Sequence, residues 1–208
     1  MSKSIQPGKN RSILQLSRLE TLTDVLYAIV IWNFFVLIPD PAGNWPWDSV
    51  VSFLIANWLI LVFVIIGVLI SIIYWAQSNR LLGLLERTDG IHTGFMFFQL
   101  LFLLMFLYSM HLGIVKGGSV GTRAFESLAV TLMGLSSSLG WYRAVKDRRL
   151  VIPEVSDKQI REETTQVLVE LISPIITIPF AFVGAVYWEI SWLCFIPLSY
   201  LLKRYRRM

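Results

Sequence analysis

The stretch RLETLTDVLYAIVIWNFFVLIP, Arg18 to Pro39, decides how this chain is read. From Val25 onward it is a helix suited to lipid. Its first two turns nevertheless carry Arg18, Glu20, Thr21, Thr23 and Asp24. Ionisable groups at membrane depth are costly and face protein or water. Arg18 and Asp24 are six residues apart, about 600° of rotation at about 100° per residue, so they point roughly 120° apart and cannot pair well within one helix. Each then needs a partner elsewhere. Gln77, Ser78, Asn79 and Arg80 at the end of the second apolar run qualify, as do Glu170 and Ser173 in the fifth. Such a network would hold this helix in place. Alternatively, Thr23 and Asp24 cap the first turn and Arg18 snorkels to headgroups.

The rest of the chain is of the same kind. It has 208 residues, 55% hydrophobic and 15% charged, with a mean hydropathy of +0.64. A soluble domain carries about 25% charged residues. Apolar runs near the ~20 residues that cross a bilayer recur along the sequence. The expectation is an all-α, polytopic membrane protein with six spans, at about 21–38, 50–76, 93–115, 124–142, 166–186 and 188–202. Residues 1–17 form an N-terminal segment and 18–207 a single six-span domain. PDPAGNWPWD (Pro39–Asp48) and KGGSVGT (Lys116–Thr122) read as turns. Pro174 and Pro179 inside the fifth span predict a kinked or partly unwound helix. The first twenty residues hold no apolar stretch of the signal-peptide type.

Six spans put both termini on one side. Of the 18 Lys and Arg, only Lys116 and Arg123 then fall on the other. The positive-inside rule makes the basic side, with both termini, cytoplasmic. The charge of +4 is thereby placed at a membrane surface, so the lipid bilayer is its expected partner and nucleic acid is not.

Arg18-x-x-x-Leu22-Thr23-Asp24, followed by VLYAIVI, resembles the Arg-x-x-x-Phe-Ser-Asp signature of the transmembrane protein 175 family, the lysosomal and prokaryotic potassium channels. IYWAQSNRLLGLLERTDG (Ile73–Gly90) is similar to the segment after that family's second span. FQLLFLLMFLYSM (Phe98–Met110) and ISPIITIPFAFVG (Ile172–Gly184) are similar to later spans. The specific matches are Arg18, Asp24, Ala28, Ile29, Trp75, Arg80 and Asp89; most of the remainder is apolar. The resemblance implies a homotetramer of six-span subunits in a prokaryotic cell membrane, with the first helix of each lining a central pore for potassium and other monovalent cations. It implies an apolar constriction at Ile29, with further layers at Asn33 and Val36. The signature residues Arg18, Thr23 and Asp24, with Asn79 and Arg80 as candidate partners at the end of the second run, make up the expected signature network. Positions 29, 33 and 36 form one helical stripe, a pattern that also serves ordinary packing. The chain departs from the family at Leu22-Thr23 for Phe-Ser, at Ser78-Asn79 for His-His, at Trp32 for a small hydroxyl residue and at Asn33 for an apolar one. Trp32 would obstruct a narrow pore unless it turned to a subunit interface.

Other motifs carry less. GLSSSLG (Gly134–Gly140) is similar to the Gly-x-Ser of rhomboid-type proteases, but a serine nucleophile needs a base. The two histidines, His92 and His111, lie at opposite ends of the third span. They are nineteen residues apart, about 28 Å on one helix, and cannot share a metal. Small residues here let helices approach closely. His92 could titrate near neutral pH or simply sit at the interface. Asn57 and Glu126 call for helix–helix hydrogen bonds. Tyr142–Glu163 reads as a loop with a short surface helix. Cys194 stands alone, which excludes an internal disulfide and a Cys-based metal site. No cofactor and no enzymatic activity are expected. The function classes left are a cation channel, then a secondary transporter or a non-conducting membrane scaffold.

Overall fold

The computed structural model describes residues 7–38, 47–116 and 118–205, and these are helical nearly throughout. The helices are α1 (Pro7–Val36), α2 (Trp47–Ala56), α3 (Trp58–Leu82), α4 (Gly90–Lys116), α5 (Val120–Val145), α6 (Asp157–Val183), α7 (Ala185–Ser191) and α8 (Phe195–Tyr205). Among the described residues there is no strand, only a bridge between Leu85 and Val151. Five segments are long and apolar enough to cross a membrane: Ser12–Val36, Ile60–Leu82, Gly90–Ile114, Asp157–Val183 and Ala185–Leu202.

The fourth expected span is α5, whose composition is too polar for that group. Its 26 residues are nevertheless about 39 Å long. It lies between α4 and α6, and its buried residues include Ser127, Gly134, Ser136, Ser137 and Gly140. A helix covered on both sides by other helices has no need of a long apolar surface, and small residues let it pack closely.

Contacts between helices show the directions in which they run. Phe34 of α1 lies against Gly67 of α3, and Tyr27 against Ser78. Positions rise on α1 as they fall on α3, so the two are antiparallel. Ser127 meets Thr177 and Trp141 meets Thr164, so α5 and α6 are antiparallel as well. Asp89 before α4 binds Arg143 near the end of α5, and Cys194 beyond α7 reaches Ser173 of α6. The chain therefore goes up and down between a basic end, carrying residues 83–89 and 146–156, and an opposite end.

Several element bounds differ from those expected. Helix α1 starts at Pro7 and runs unbroken through residues 17 and 18. The second span is interrupted at Asn57, whose Nδ2 donates to the carbonyl of Phe53 at 3.0 Å and so bonds within its own segment instead of to another helix. Helix α6 is continuous through Pro174 and Pro179. The hydroxyls of Ser173 and Thr177 bond back to Val169 and Pro174 at 2.7 and 2.8 Å, as happens where proline disturbs a membrane helix. The Pro39–Asp48 turn falls, up to Pro46, outside the described residues. At the Lys116–Thr122 turn, Gly118 takes φ +51, a conformation that suits glycine, and the Ser119 hydroxyl caps α5 by accepting the Thr122 N–H at 3.2 Å.

The Tyr142–Glu163 stretch contains no separate surface helix. It forms a 3-10 turn at Lys146–Arg148, then a segment stitched to residues 84–87. The Glu86 N–H reaches the Leu150 carbonyl at 2.8 Å, and the Ile152 N–H reaches that of Leu84 at 3.0 Å. Leu16, Leu19, Leu82, Leu85, Trp141, Leu150, Val151 and Val167 close an apolar cluster beneath it. The second cluster lies deeper, around Tyr27, Val30, Phe34, Leu103, Phe106, Val130 and Met133.

Candidate functional site

Helix α1 has two unlike faces. Leu16, Leu19, Thr23, Tyr27, Val30 and Phe34 are buried and recur every three or four residues. The Phe34 ring fills the notch left by Gly67, where an added Cβ would stand 2.3 Å from its Cε1 atom. It meets Phe106 of α4 edge to face at 6.5 Å. On the other face Val25, Ile29, Trp32, Phe35 and Val36 are uncovered, with Ile29 at 45%, Trp32 at 67% and Val36 at 62% exposure. The buried face is fixed by α3 and α4, which leaves the Ile29 face turned away from the subunit.

Asn33 sits at the edge of that outward face. Its Nδ2 donates to the Ile29 carbonyl at 2.8 Å, one turn back. One of the two amide N–H donors is thus engaged by its own helix, and the second N–H and the side-chain oxygen are the groups that can meet anything outside the subunit. The indole of Trp32 projects beside it.

The polar first half of the quoted stretch is held in three ways. The Thr23 hydroxyl, fully buried, donates to the Leu19 carbonyl at 2.8 Å. The Trp75 indole N–H of α3 donates to the Asp24 carboxylate at 2.8 Å. One turn deeper, the Tyr27 and Ser78 hydroxyls lie 3.4 Å apart, and the Gln99 amide of α4 donates to Ser78 at 3.1 Å. Thr23 and Asp24 lie sixteen and seventeen residues beyond the start of α1 at Pro7, so they cap nothing. Arg18 is exposed and makes no hydrogen bond or ion pair among the described residues. Arg80 pairs with Glu163 of α6 at 3.1 Å, linking α3 to α6. Asn79 contributes its backbone carbonyl to the end of α3, accepting the Gly83 N–H at 2.9 Å.

Sequence reasoning offered Gln77, Ser78, Asn79, Arg80, Glu170 and Ser173 as partners for Arg18 and Asp24; the structure gives Asp24 Trp75 instead and Ser78 to Tyr27 and Gln99, two residues not singled out. Tyr27 lies four residues after Thr23, on the face that turns inward, and that periodicity was the available signal.

The basic end is fastened by Asp89. One carboxylate oxygen accepts the His92 N–H at 2.8 Å and starts α4. The other accepts from Nε and Nη2 of Arg143 at 3.1 and 2.8 Å. Burial pushes the Asp89 carboxyl up, but the His92 N–H and the Arg143 guanidinium outweigh it and hold the group below its ordinary value. His92 is buried, with its Nδ1 2.8 Å from the Thr88 hydroxyl. Among the described residues no group of His, Cys, Asp and Glu is arranged to hold a metal.

Two solved structures are similar over nearly the whole chain. One is a homologue of the lysosomal potassium-selective channel TMEM175 from Chamaesiphon minutus. Its TM-score is 0.70 at 15% identity, covering 90% of this chain and 98% of that one. The chain has the fold of a TMEM175 channel. The other is a threonine-to-alanine variant of the potassium channel MtTMEM175 in complex with a nanobody–MBP fusion. Its TM-score is 0.66 at 15% identity, covering 91% of this chain and 93% of that one. No protein-family model and no curated protein matches the sequence. Within this TMEM175 fold, the chain has an apolar first helix with one face uncovered, and Asp24 and Tyr27 midway along it tie it to α3.

Proposed function

We propose that this chain belongs to the transmembrane protein 175 family and is a potassium channel. Four copies assemble around an axis lined by α1, and α5 is the fourth of six passes. The observation that carries this reading is the uncovered Ile29–Trp32–Val36 face on a helix whose opposite face is fully packed. A single subunit encloses no pathway along that face, and closed symmetry provides one. Four Ile29 side chains meeting on an axis leave no room for a hydrated cation and nothing to replace its water, so the ring blocks by dewetting. Potassium passes when the ring widens, with the Asn33 oxygens available to an ion beside it. Trp32 turns to the subunit interface. The positive-inside count places the basic end in the cytoplasm, and with it both termini, in a prokaryotic cell membrane. The continuity of α6 removes the broken helix on which a transporter reading rested.

The test is potassium and sodium flux into liposomes containing wild type, Ile29→Asn or Phe182→Asn, with native mass spectrometry of each. Phe182 is exposed on α6 and stands outside the proposed pore. Ile29→Asn is expected to raise flux and reduce the potassium preference, and Phe182→Asn to change neither. An intact oligomer that passes no cation in any of the three would leave the chain a non-conducting scaffold.

A further inference from the structure

Glu170 lies in the middle of α6 at 4% exposure, and among the described residues neither of its carboxyl oxygens has a hydrogen-bond partner. It sits where α5 and α6 come closest: a Cβ added to Gly134 would stand 2.9 Å from the Glu170 carbonyl oxygen. That carbonyl lacks its usual helical donor, because the residue four places on is Pro174. The ionisable groups acting on the side chain are Arg80 of α3 and Glu163 of α6. The phenols of Tyr27 on α1 and Tyr74 on α3 are also within its field. Beyond α7, the Cys194 thiol reaches the Ser173 carbonyl at 3.7 Å, one turn further along α6. From α5 the approach is made by the backbone at Gly134.

An ionised carboxylate without a hydrogen bond is among the most costly groups a protein interior can hold, whereas the neutral acid costs far less. Arg80, the cation whose charge acts on Glu170, is engaged by Glu163 at 3.1 Å. Glu163 and Glu170 are seven residues apart, so they share one face of α6 about 10 Å apart along its axis. The Arg80 guanidinium is thus paired with the outer of two carboxyl groups on one stripe of α6.

We propose that Glu170 is a proton-binding site: the packed bundle holds it as the neutral acid, and loss of its proton to water draws Arg80 from Glu163 to Glu170. Arg80 then moves inward along α6 and carries its end of α3 with it. Asp24–Trp75 and Tyr27–Ser78 join α1 to that same stretch of α3. The position of the outward face of α1 therefore follows the protonation of Glu170. The site goes beyond the channel reading and does not need it, since proton binding is read without any flux.

Infrared difference spectroscopy of the reconstituted oligomer, wild type against Glu170→Gln, tests the proposal. Gln imitates the neutral acid and is expected to fold with an unchanged melting temperature. The wild type should show the carbonyl stretch of an un-ionised carboxyl at neutral pH, shifted in heavy water and absent from Glu170→Gln. The band should fade in alkaline buffer. With Arg80→Gln it should persist to more alkaline buffer than in wild type, and with Glu163→Gln it should fade sooner. Absence of the band from folded wild type at neutral pH would overturn the site. A band whose pH dependence ignores Arg80→Gln would overturn the exchange of partners.

Discussion

The Trp75 indole N–H lies 2.8 Å from the Asp24 carboxylate and joins α1 to α3 across fifty-one residues of sequence. Among the described residues the carboxylate has one such partner, and Arg18 of its own helix stands apart. A hydrogen bond to a charged group contributes about 1.5–3 kcal/mol when shielded, and less at an exposed edge. Trp75→Phe keeps the ring and removes only the donor, so a loss of about 1 kcal/mol is expected. Asp24→Ala should cost at least as much, and the double variant no more than the larger single one. Thermal melting of the purified oligomer checks this; strictly additive losses would show that the two side chains act separately.

Gly134 and Gly67 set how closely the helices approach. At Gly134 an added methyl meets backbone atoms at 2.9 and 3.1 Å, so α5 and α6 must separate. Gly134→Ala should destabilise by about 1–3 kcal/mol, the range for overpacked cores. At Gly94 and Gly113 nothing lies within 4 Å, and Ala there should be neutral or slightly favourable. At Gly67 the obstacle is the Phe34 ring, so Gly67→Ala should displace α1 itself and alter cation flux as well as stability. Melting temperatures of the four variants, with flux for Gly67→Ala, distinguish these effects. Equal losses at Gly134 and Gly113 would contradict the close crossing.

Asp89 makes stability depend on acid. Its folded-state pKa lies below the ordinary value of 3.8, so the unfolded chain binds the proton more readily. Its contribution is complete above the ordinary carboxylate range and is lost as pH falls through the depressed value. Asp89→Asn keeps an acceptor for the His92 N–H and removes the charge that Arg143 pairs with. The variant should be less stable at neutral pH and approach wild type as the buffer is acidified through that range. Parallel melting curves of the two proteins across the acid range would contradict the assignment.

The apolar passes were legible in the sequence because burial in lipid imposes long uninterrupted runs. The signature stretch was legible because Asp24 has no cheap place in such a run without a partner. The choice of partner was not, since Trp75, Gln99 and Ser78 come to α1 from two other helices and leave no trace in its own spacing. The capping alternative failed because α1 begins at Pro7, and Thr23 and Asp24 therefore lie mid-helix. Helix α5 lacks an apolar run like those of the other long helices because it is shielded by α4 and α6, and its serines and glycines serve that packing. Helix α6 runs on through Pro174 and Pro179, and the Ser173 and Thr177 hydroxyls bond back onto the helix around Pro174. The segment after Arg148 reads as polar loop by composition; its order comes from backbone bonds to residues 84–87, which composition does not encode.

The proposed cation pathway is water-filled, made by several copies and lined by the outward face of α1. It is tested most directly by potassium flux through Ile29→Cys in a Cys194→Ser background, before and after a water-soluble cationic thiol reagent. Cys194 is the single native cysteine, so the introduced thiol is then unique. The account predicts that the reagent attaches at position 29 and blocks flux, while Val30→Cys, on the buried face, conducts and does not respond. Unchanged flux through Ile29→Cys after complete labelling, or a position 29 that no water-soluble reagent reaches while the oligomer conducts, would contradict it.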